Sequence, residues 1–201
     1  MTINTDDILN SILQSISRID YIKPDDIPNI DLYMDQVTTF MDENLKASRR
    51  YPEDKILTKT MINNYAKNDL LPPPVKKKYS KEHMLMLIFI YYFKNILSIT
   101  DIQALLNPIT EKYFHCNQDF SIESIYNEVF SLEKNQADKL KQDIIDKFNI
   151  SSATFQNAPE EDQEFLRLFS FICLLSFDVY VKKQLIEKLV DALPEKEHKK
   201  K

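Results

Sequence analysis

The chain has 201 residues, of which 43% are hydrophobic and 28% are charged, and its formal net charge is -5. This composition excludes a wholly disordered chain, and the lack of an uninterrupted apolar run of about 18 residues argues against a membrane span. Glycine is absent, which excludes glycine-rich phosphate loops, dinucleotide-binding fingerprints and nucleophile elbows, and leaves few positions for tight hairpin turns. We therefore expect a mostly helical protein.

The N-terminus, MTINTDDIL, lacks the basic region and apolar core of a signal peptide, so we expect a cytoplasmic protein without membrane association. Catalytic chemistry is not expected, since three scattered histidines and no glycine form no recognisable set. Cys116 and Cys173 match no metal-ligand spacing, and Cys173 lies in an apolar helix where core packing is the simplest role. The neighbouring His115 and Cys116 are a weak sign of a metal site or an activated thiol. The favoured interpretation is an ordinary pair of loop residues. We predict no metal and no cofactor.

Two amphipathic helices are predicted in the first quarter of the chain. Residues 6–20 place an apolar stripe on one side of the first helix, at Ile8, Leu9, Ile12, Leu13, Ile16 and Ile19. Asp31 is the predicted N-cap of a second helix that runs to about Ala47. Its inward side chains are predicted to be Tyr33, Val37, Phe40, Met41 and Leu45.

The next predicted helix has a polar face suited to nucleic acid. Thr58 is its predicted N-cap, and helical spacing places an apolar face at Leu57, Met61, Ile62 and Tyr65. The opposite face carries amide, hydroxyl and ammonium groups and no acid, at Lys59, Thr60, Asn63, Asn64 and Lys67. Asn can pair with adenine and Lys can reach guanine or phosphate, so the face is typical of a base-reading helix. The alternative is an ordinary solvated helix face.

A turn and a basic run follow this helix. Pro72, Pro73 and Pro74 end it and force the chain to turn. The turn then continues into Lys76, Lys77 and Lys78, beside Tyr79 and a predicted helix cap at Ser80. Clustered positive charge beside a candidate reading helix is what a winged helix-turn-helix needs to hold phosphates.

The charge is distributed unevenly along the chain. Residues 46–83 contain ten basic and four acidic side chains, giving +6, so the remaining residues carry -11. Such an asymmetry is typical of a basic binding surface on an acidic body.

The remaining predicted elements are helices. The run HMLMLIFIYYFKNIL predicts a buried central helix. Ser98 and Asp101 form a predicted capping box for a helix that ends at Asn107 and Pro108. One helix is predicted from Ser121 to about Phe148, with Ile122, Ile125, Tyr126, Val129, Ala137, Leu140, Ile144 and Phe148 at helical spacing. After a polar connector at residues 151–157, a long last helix should run from Pro159 to Pro194, its apolar centre buried in the body or in a subunit interface.

The motifs around the candidate reading helix resemble a known family. They are Met61, Tyr65, LLPP at residues 70–73, Tyr79 with Ser80, a long apolar helix and then SITDIQALL. Over residues 56–107 this series resembles the winged-helix head of MerR-type transcription regulators, and more closely an uncharacterised bacterial domain-of-unknown-function family with a similar TKTMINNY segment. The chain departs from the MerR pattern at Asn63 and Asn64, where those proteins commonly carry an Arg and a Tyr that hold phosphates. No glycine shapes the wing, and Arg49 to Pro52 lengthen the connection to the preceding helix.

Together these features predict an all-α fold, with a winged helix-turn-helix-like helical head followed by a C-terminal helical lobe that contains a long last helix. We expect the head to span residues 1–110, with a DNA-binding core at 56–107, and the lobe to span residues 111–201 and to serve dimerisation or effector binding. The predicted function is a sequence-specific regulator of transcription that binds double-stranded DNA as a homodimer. The predicted DNA-binding residues are Lys59, Thr60, Asn63, Asn64, Lys67, Lys76, Lys77 and Lys78.

Two further alternatives stay open. The chain could be a helical protein-interaction module that keeps the fold of the head without binding DNA. The phenylalanines of the last helix, Phe165, Phe169, Phe171 and Phe177, could line a pocket for a small apolar effector or could be plain core.

Overall fold

The computed structural model describes residues 5–17, 22–116, 119–134 and 136–194. The fold is mostly all-α, as the composition predicts. The helices are α1 (Thr5–Ser17), α2 (Met34–Asn44), α3 (Lys59–Lys67), α4 (Lys81–Phe93), α5 (Ile99–Tyr113), α6 (Ile122–Lys134), α7 (Ala137–Ser152) and α8 (Glu160–Asp191). Short 3-10 helices lie at Pro24–Asp26 and Lys46–Ser48, and two strands, β1 (Leu32–Tyr33) and β2 (Lys78–Tyr79), pair antiparallel. No helix in these described ranges is long and apolar enough to cross a membrane.

The contacts between residues divide the chain into two compact units. Among the described residues, the larger unit contains those from 22 to 127 together with 183–194. The smaller unit contains the described residues from 5 to 17 together with those from 128 to 182. The predicted division of the chain near residue 110 supposes that a head and a lobe fold independently of each other. That division stays a prediction.

The core of the larger unit is built around α4. Nine consecutive residues of this helix, His83 to Tyr91, are buried, which matches its apolar character on every side. Apolar side chains of α2, α3, α5 and α6 are also fully or almost fully buried in this unit, at Val37, Met41, Ile62, Tyr65, Ile102, Leu106, Ile122 and Tyr126. The expectation of a buried central helix is therefore confirmed.

The smaller unit has its own core. Ile16 of α1, Ile144 of α7 and Phe171 of α8 are buried together, and Leu9, Ile12, Leu13, Phe148 and Leu175 pack against them. The predicted stripe of α1 therefore does cover an apolar partner, although the helix ends at Ser17 and Ile19 lies outside the described residues.

Two of the predicted helix starts are confirmed by their capping hydrogen bonds. The Thr58 side chain accepts a hydrogen bond from the Met61 backbone N–H at 3.2 Å. At the start of α5 the Ser98 hydroxyl accepts from the Asp101 N–H at 3.2 Å, and the Asp101 carboxylate accepts from the Ser98 N–H at 3.1 Å. Both arrangements satisfy N–H groups that a helix leaves without an internal partner.

Three predicted helix boundaries are wrong. The N-cap of α2 is Tyr33 and not Asp31, because Leu32 and Tyr33 are held in a strand by β2. Helix α5 continues through Pro108 to Tyr113; Pro108 and Ala104 are both exposed, so the carbonyl that loses its donor can bind water. The predicted single helix from Ser121 to Phe148 is two helices, with Gln136 capping α7.

Several side chains predicted to face inward are exposed instead. They are Tyr33 before α2, Ile99 at the start of α5, Val129 of α6, Leu140 of α7 and Cys173 of α8. Helical periodicity identifies side chains that share a face but not how much of that face another element covers, and tertiary packing leaves these five residues exposed.

Candidate nucleic-acid interface

Helix α3 exposes the polar face that its sequence predicts. Its apolar face is anchored by Ile62 and Tyr65, which are buried. The opposite side chains are all exposed, namely those of Lys59, Thr60, Asn63, Asn64 and Lys67. Five predicted site residues therefore share one solvent-facing surface on a helix that is only nine residues long.

The lysine run forms the tip of a β-hairpin. Val75 and Lys78 exchange two backbone hydrogen bonds, of 3.1 and 2.9 Å, across the intervening Lys76 and Lys77. These two residues have φ angles of 50° and 64°, which is the pattern of a type I′ hairpin turn. This tight turn therefore forms without glycine at either central position. Both lysines are exposed at the tip, whereas Lys78 is half-buried.

Tyr33 and Asp35, at the start of α2, link the hairpin to α3. The Lys78 ammonium lies over the Tyr33 ring, 5.2 Å from its centroid, and Tyr33 pairs with Lys78 across the two strands. Two residues further on, the Asp35 carboxylate forms an ion pair with the Lys59 ammonium at the beginning of α3. The structure thus brings Lys59 and Lys78, 19 positions apart in sequence, to the two sides of one short segment.

Asp35 is a part of this surface that sequence reasoning missed. Its side chain is 74% exposed and pairs with Lys59, which partly neutralises one of the predicted phosphate contacts. Helical spacing puts Asp35 on the outer side of α2, opposite the apolar face, but it gives no sign that this side reaches α3. Exposed ion pairs are weak, so Lys59 can still leave Asp35 for a phosphate.

The C-terminal end of α3 borders a groove of about 530 Å³. The groove is lined by Met61, Asn64, Tyr65, Asn68, Lys94, Asn95 and Ile99. Burial lowers the pKa of Lys94, whose ammonium donates a hydrogen bond to the Ile56 carbonyl at 2.7 Å. Asn64 therefore lies at the edge of the polar face nearest this groove, while Lys59 lies near α2.

A buried histidine supports the base of the hairpin. His83 is 1% exposed, and its ring makes edge-on contacts with Tyr79 of β2 and Phe114 at the end of α5. Burial lowers the pKa of His83 to about 4, so the ring is neutral at physiological pH. This residue ties the strand of the hairpin to the start of the central helix.

His115, beside Cys116, contacts a carboxylate. Its Nδ1 lies 2.8 Å from a carboxylate oxygen of Glu82. Within the part of the chain that the structure describes, no three His, Cys, Asp or Glu side chains are grouped so that they could hold a metal ion.

The phenylalanines of α8 do not enclose a common pocket. Phe171 is buried, whereas Phe165, Phe169 and Phe177 are exposed. Phe171 lines a cleft of about 370 Å³ within the smaller unit, together with Phe148, Ser151, Ser152, Glu164, Arg167 and Leu168. This lining is half polar, so the cleft is not the apolar cavity that an apolar effector would need.

The comparisons with known proteins give one match. No curated protein and no solved structure matches the chain. The model of a family described as a domain of unknown function, DUF1836, matches residues 22–129, a little more than half of the chain and the region that holds β1, α2, α3, the hairpin and α4. The chain belongs to the DUF1836 family.

Proposed function

We propose that this protein is a sequence-specific regulator of transcription that binds double-stranded DNA through its larger unit. The observation that carries the proposal is that the exposed polar face of α3 and the hairpin that presents Lys76 and Lys77 are both attached to the start of α2, through Asp35 with Lys59 and through Tyr33 with Lys78. A reading helix next to a basic hairpin is the arrangement by which a winged helix-turn-helix contacts bases and phosphates together.

The side chains divide into two roles in this proposal. Asn63 and Asn64 read base edges in the major groove, where a side-chain amide can pair with adenine. The exposed lysines hold phosphates on both sides of the groove, with Lys59 and Lys67 on α3 and Lys76 and Lys77 on the hairpin. The Thr60 hydroxyl can donate a hydrogen bond to a base edge or to a phosphate. Lys78 is half-buried over Tyr33, so its contribution is to fix the hairpin more than to reach DNA.

The order of the elements supports a MerR-like version of this fold. Strand β1, helices α2 and α3, the hairpin and helix α4 follow one another, and β2 of the hairpin pairs back to β1. The connection between α2 and α3 is long, covering residues 45–58. The helix pair is therefore not a tight helix-turn-helix, and its relation to the MerR type is a proposal that rests on the motifs of residues 56–107.

A second candidate function is a protein-interaction module. It is favoured by the ion pair between Asp35 and Lys59 and by the two asparagines at positions where MerR-type proteins carry phosphate-holding side chains. A carboxylate within the surface repels DNA, whereas it suits a partner protein with mixed charges. Neither candidate assigns an enzymatic activity or a cofactor to the chain, and a cytoplasmic location is part of the DNA-binding proposal.

The salt dependence of DNA binding separates the two candidates. Binding of a mixed pool of duplexes should weaken steeply as salt rises, because each phosphate contact releases condensed counterions. Lys76→Gln should reduce the slope of log affinity against log salt by about one unit. The matched control is Lys139→Gln, which removes an exposed lysine of α7 in the smaller unit and should leave the slope unchanged.

If the protein shows no measurable affinity for duplex DNA at low salt, the DNA-binding proposal is wrong and the interaction module is the better account. Selection of bound sequences from a random duplex pool then tests specificity, since a regulator enriches one site and a general DNA-binding protein enriches none.

A further inference from the structure

Helix α8 has apolar side chains on two faces. Its inner face packs in the core of the smaller unit through Phe171. At about 100° per residue, a second row is centred about 130° around the helix from Phe171; we call it the outer stripe, and it consists of Phe165, Phe169, Ile172, Val179 and Tyr180. The rings of Phe165 and Phe169 stack with their centroids 6.4 Å apart. A helix that is apolar on both faces needs a cover on both.

The outer stripe is large enough to form half of a stable interface. Its five side chains are 61%, 52%, 51%, 67% and 62% exposed, in chain order. With roughly 200 Å² for each fully exposed aromatic side chain, the stripe presents roughly 500 Å² of apolar surface. That lies near the upper end of the patches that a monomer exposes, and it is more than half of the roughly 800 Å² that each partner gives to a standard interface.

Charged residues mark the two ends of the stripe. Glu161 is exposed just before it and Lys182 just after it, and helical spacing places both on the same flank. The midpoint between Glu161 and Lys182 falls between Phe171 and Ile172. The midpoint between the terminal stripe residues, Phe165 and Tyr180, falls within one residue of the same place. Apolar stripe and end charges therefore share one centre.

We propose that the outer stripe binds the outer stripe of a second copy, with the two α8 helices antiparallel about a two-fold axis near Ile172. The axis brings Glu161 opposite Lys182 of the partner subunit, and the same pairing occurs again at the other end. A parallel arrangement would place equivalent charges at the same level but on opposite flanks, so neither charge would meet an opposite one. This assembly rests only on the smaller unit and stands whether or not the larger unit binds DNA.

Charge reversal tests both the partner and its orientation. The wild-type chain should have the mass of a dimer by sedimentation equilibrium at tens of micromolar. Glu161→Lys and Lys182→Glu should each weaken dimerisation by about tenfold, because each creates two like-charge contacts per dimer. The double variant, Glu161→Lys with Lys182→Glu, should restore the wild-type dissociation constant, since both pairs are re-formed with their signs exchanged.

A central substitution provides a second measurement. Ile172→Glu should convert the dimer into a monomer, and because Ile172 is half exposed the fold should persist, as far-UV circular dichroism can verify. The matched control is Ile150→Glu, which changes an exposed isoleucine of α7 outside the stripe and should leave the mass unchanged.

Three outcomes would overturn the proposal. A monomeric wild-type chain would show that a second copy does not cover the stripe, and a dimer that survives Ile172→Glu would place the interface elsewhere. A dimer that both charge reversals weaken without rescue in the double variant would exclude the antiparallel arrangement. None of these masses depends on DNA, so a failure of the proposed DNA binding would be seen separately in the salt titration.

Discussion

The Nδ1 atom of His83 accepts a hydrogen bond from the Ser80 backbone N–H at 3.0 Å. The Ser80 hydroxyl lies 2.8 Å from the same nitrogen, so it donates to Nδ1 as well, and the single ring proton lies on Nε2. That buried Nε2 has no hydrogen-bond partner among the described residues, although the Pro72 and Pro73 carbonyls are close enough to favour a protonated ring. Desolvation of the ring outweighs these carbonyls, and the neutral His83 completes the capping box of α4, whose N-cap is Ser80.

The first prediction is that acid destabilises the fold through His83. Burial lowers the pKa of His83 from 6.5 to about 4, so between these values the unfolded chain binds a proton that the folded chain does not. The stabilisation of the fold by the neutral His83 ring is therefore complete above about pH 6.5 and is lost as the pH falls toward 4. The total loss should be about 3 kcal/mol in the free energy of unfolding.

Urea denaturation of the wild type and of His83→Gln at several pH values between 4 and 7 measures this effect. The difference in unfolding free energy between the two proteins should shrink as the pH falls, because glutamine does not titrate. Carboxylates titrate in both proteins and cancel in the difference. A difference that stays constant across this range would show that the ring does not resist protonation in the fold.

The second prediction separates backbone strain from charge in the hairpin tip. Lys77 has a φ angle of 64°, where a Cβ atom is unfavourable and glycine is not. Lys77→Gly should raise the free energy of unfolding by about 0.5–1 kcal/mol, whereas Lys77→Ala should not raise it. Both variants remove the same charge, so both should lose the same affinity for DNA. Thermal denaturation and a DNA titration on the two variants give the comparison.

The third prediction separates base contacts from the apolar support of α3. Asn63→Ala and Asn64→Ala should each weaken binding at the preferred site by about 1–3 kcal/mol and relax the preference there, with little change in affinity for random duplexes. Tyr65 is 6% exposed on the buried face, so Tyr65→Ala should lower the melting temperature instead. Equal binding of the preferred site by both asparagine variants and the wild type would exclude base reading by this face.

The fourth prediction concerns a buried hydrogen bond between α6 and the start of the larger unit. The Tyr126 hydroxyl donates to the Ile22 carbonyl at 2.7 Å, and Tyr126 is fully buried. Tyr126→Phe should reduce the free energy of unfolding by about 1–3 kcal/mol, because the buried carbonyl loses its donor. Tyr51→Phe, at a half-exposed position, is the control, and it should change stability by less than about 0.5 kcal/mol.

Local patterns predicted the helices well, because local interactions decide them. The hydroxyl of Thr58 and the capping box of Ser98 and Asp101 act within three residues, and they lie where the sequence places them. The apolar run of α4 likewise predicts, from local sequence alone, that this helix is buried. The polar face of α3 was predictable as well, since helical spacing alone determines which of its side chains share a side.

What the sequence by itself determined is therefore the mostly helical class, the central buried helix and the exposed face of α3. Only the tertiary structure decided which distant residues meet. The ion pair of Asp35 with Lys59, the pairing of β1 with β2 and the stacking of Lys78 on Tyr33 join segments with no local signal for one another. The type I′ turn at Lys76 and Lys77 likewise opposes local preference. It forms because the hydrogen bonds between Val75 and Lys78 close the turn, while the pairing with β1 and the buried Tyr79 hold its second arm in place.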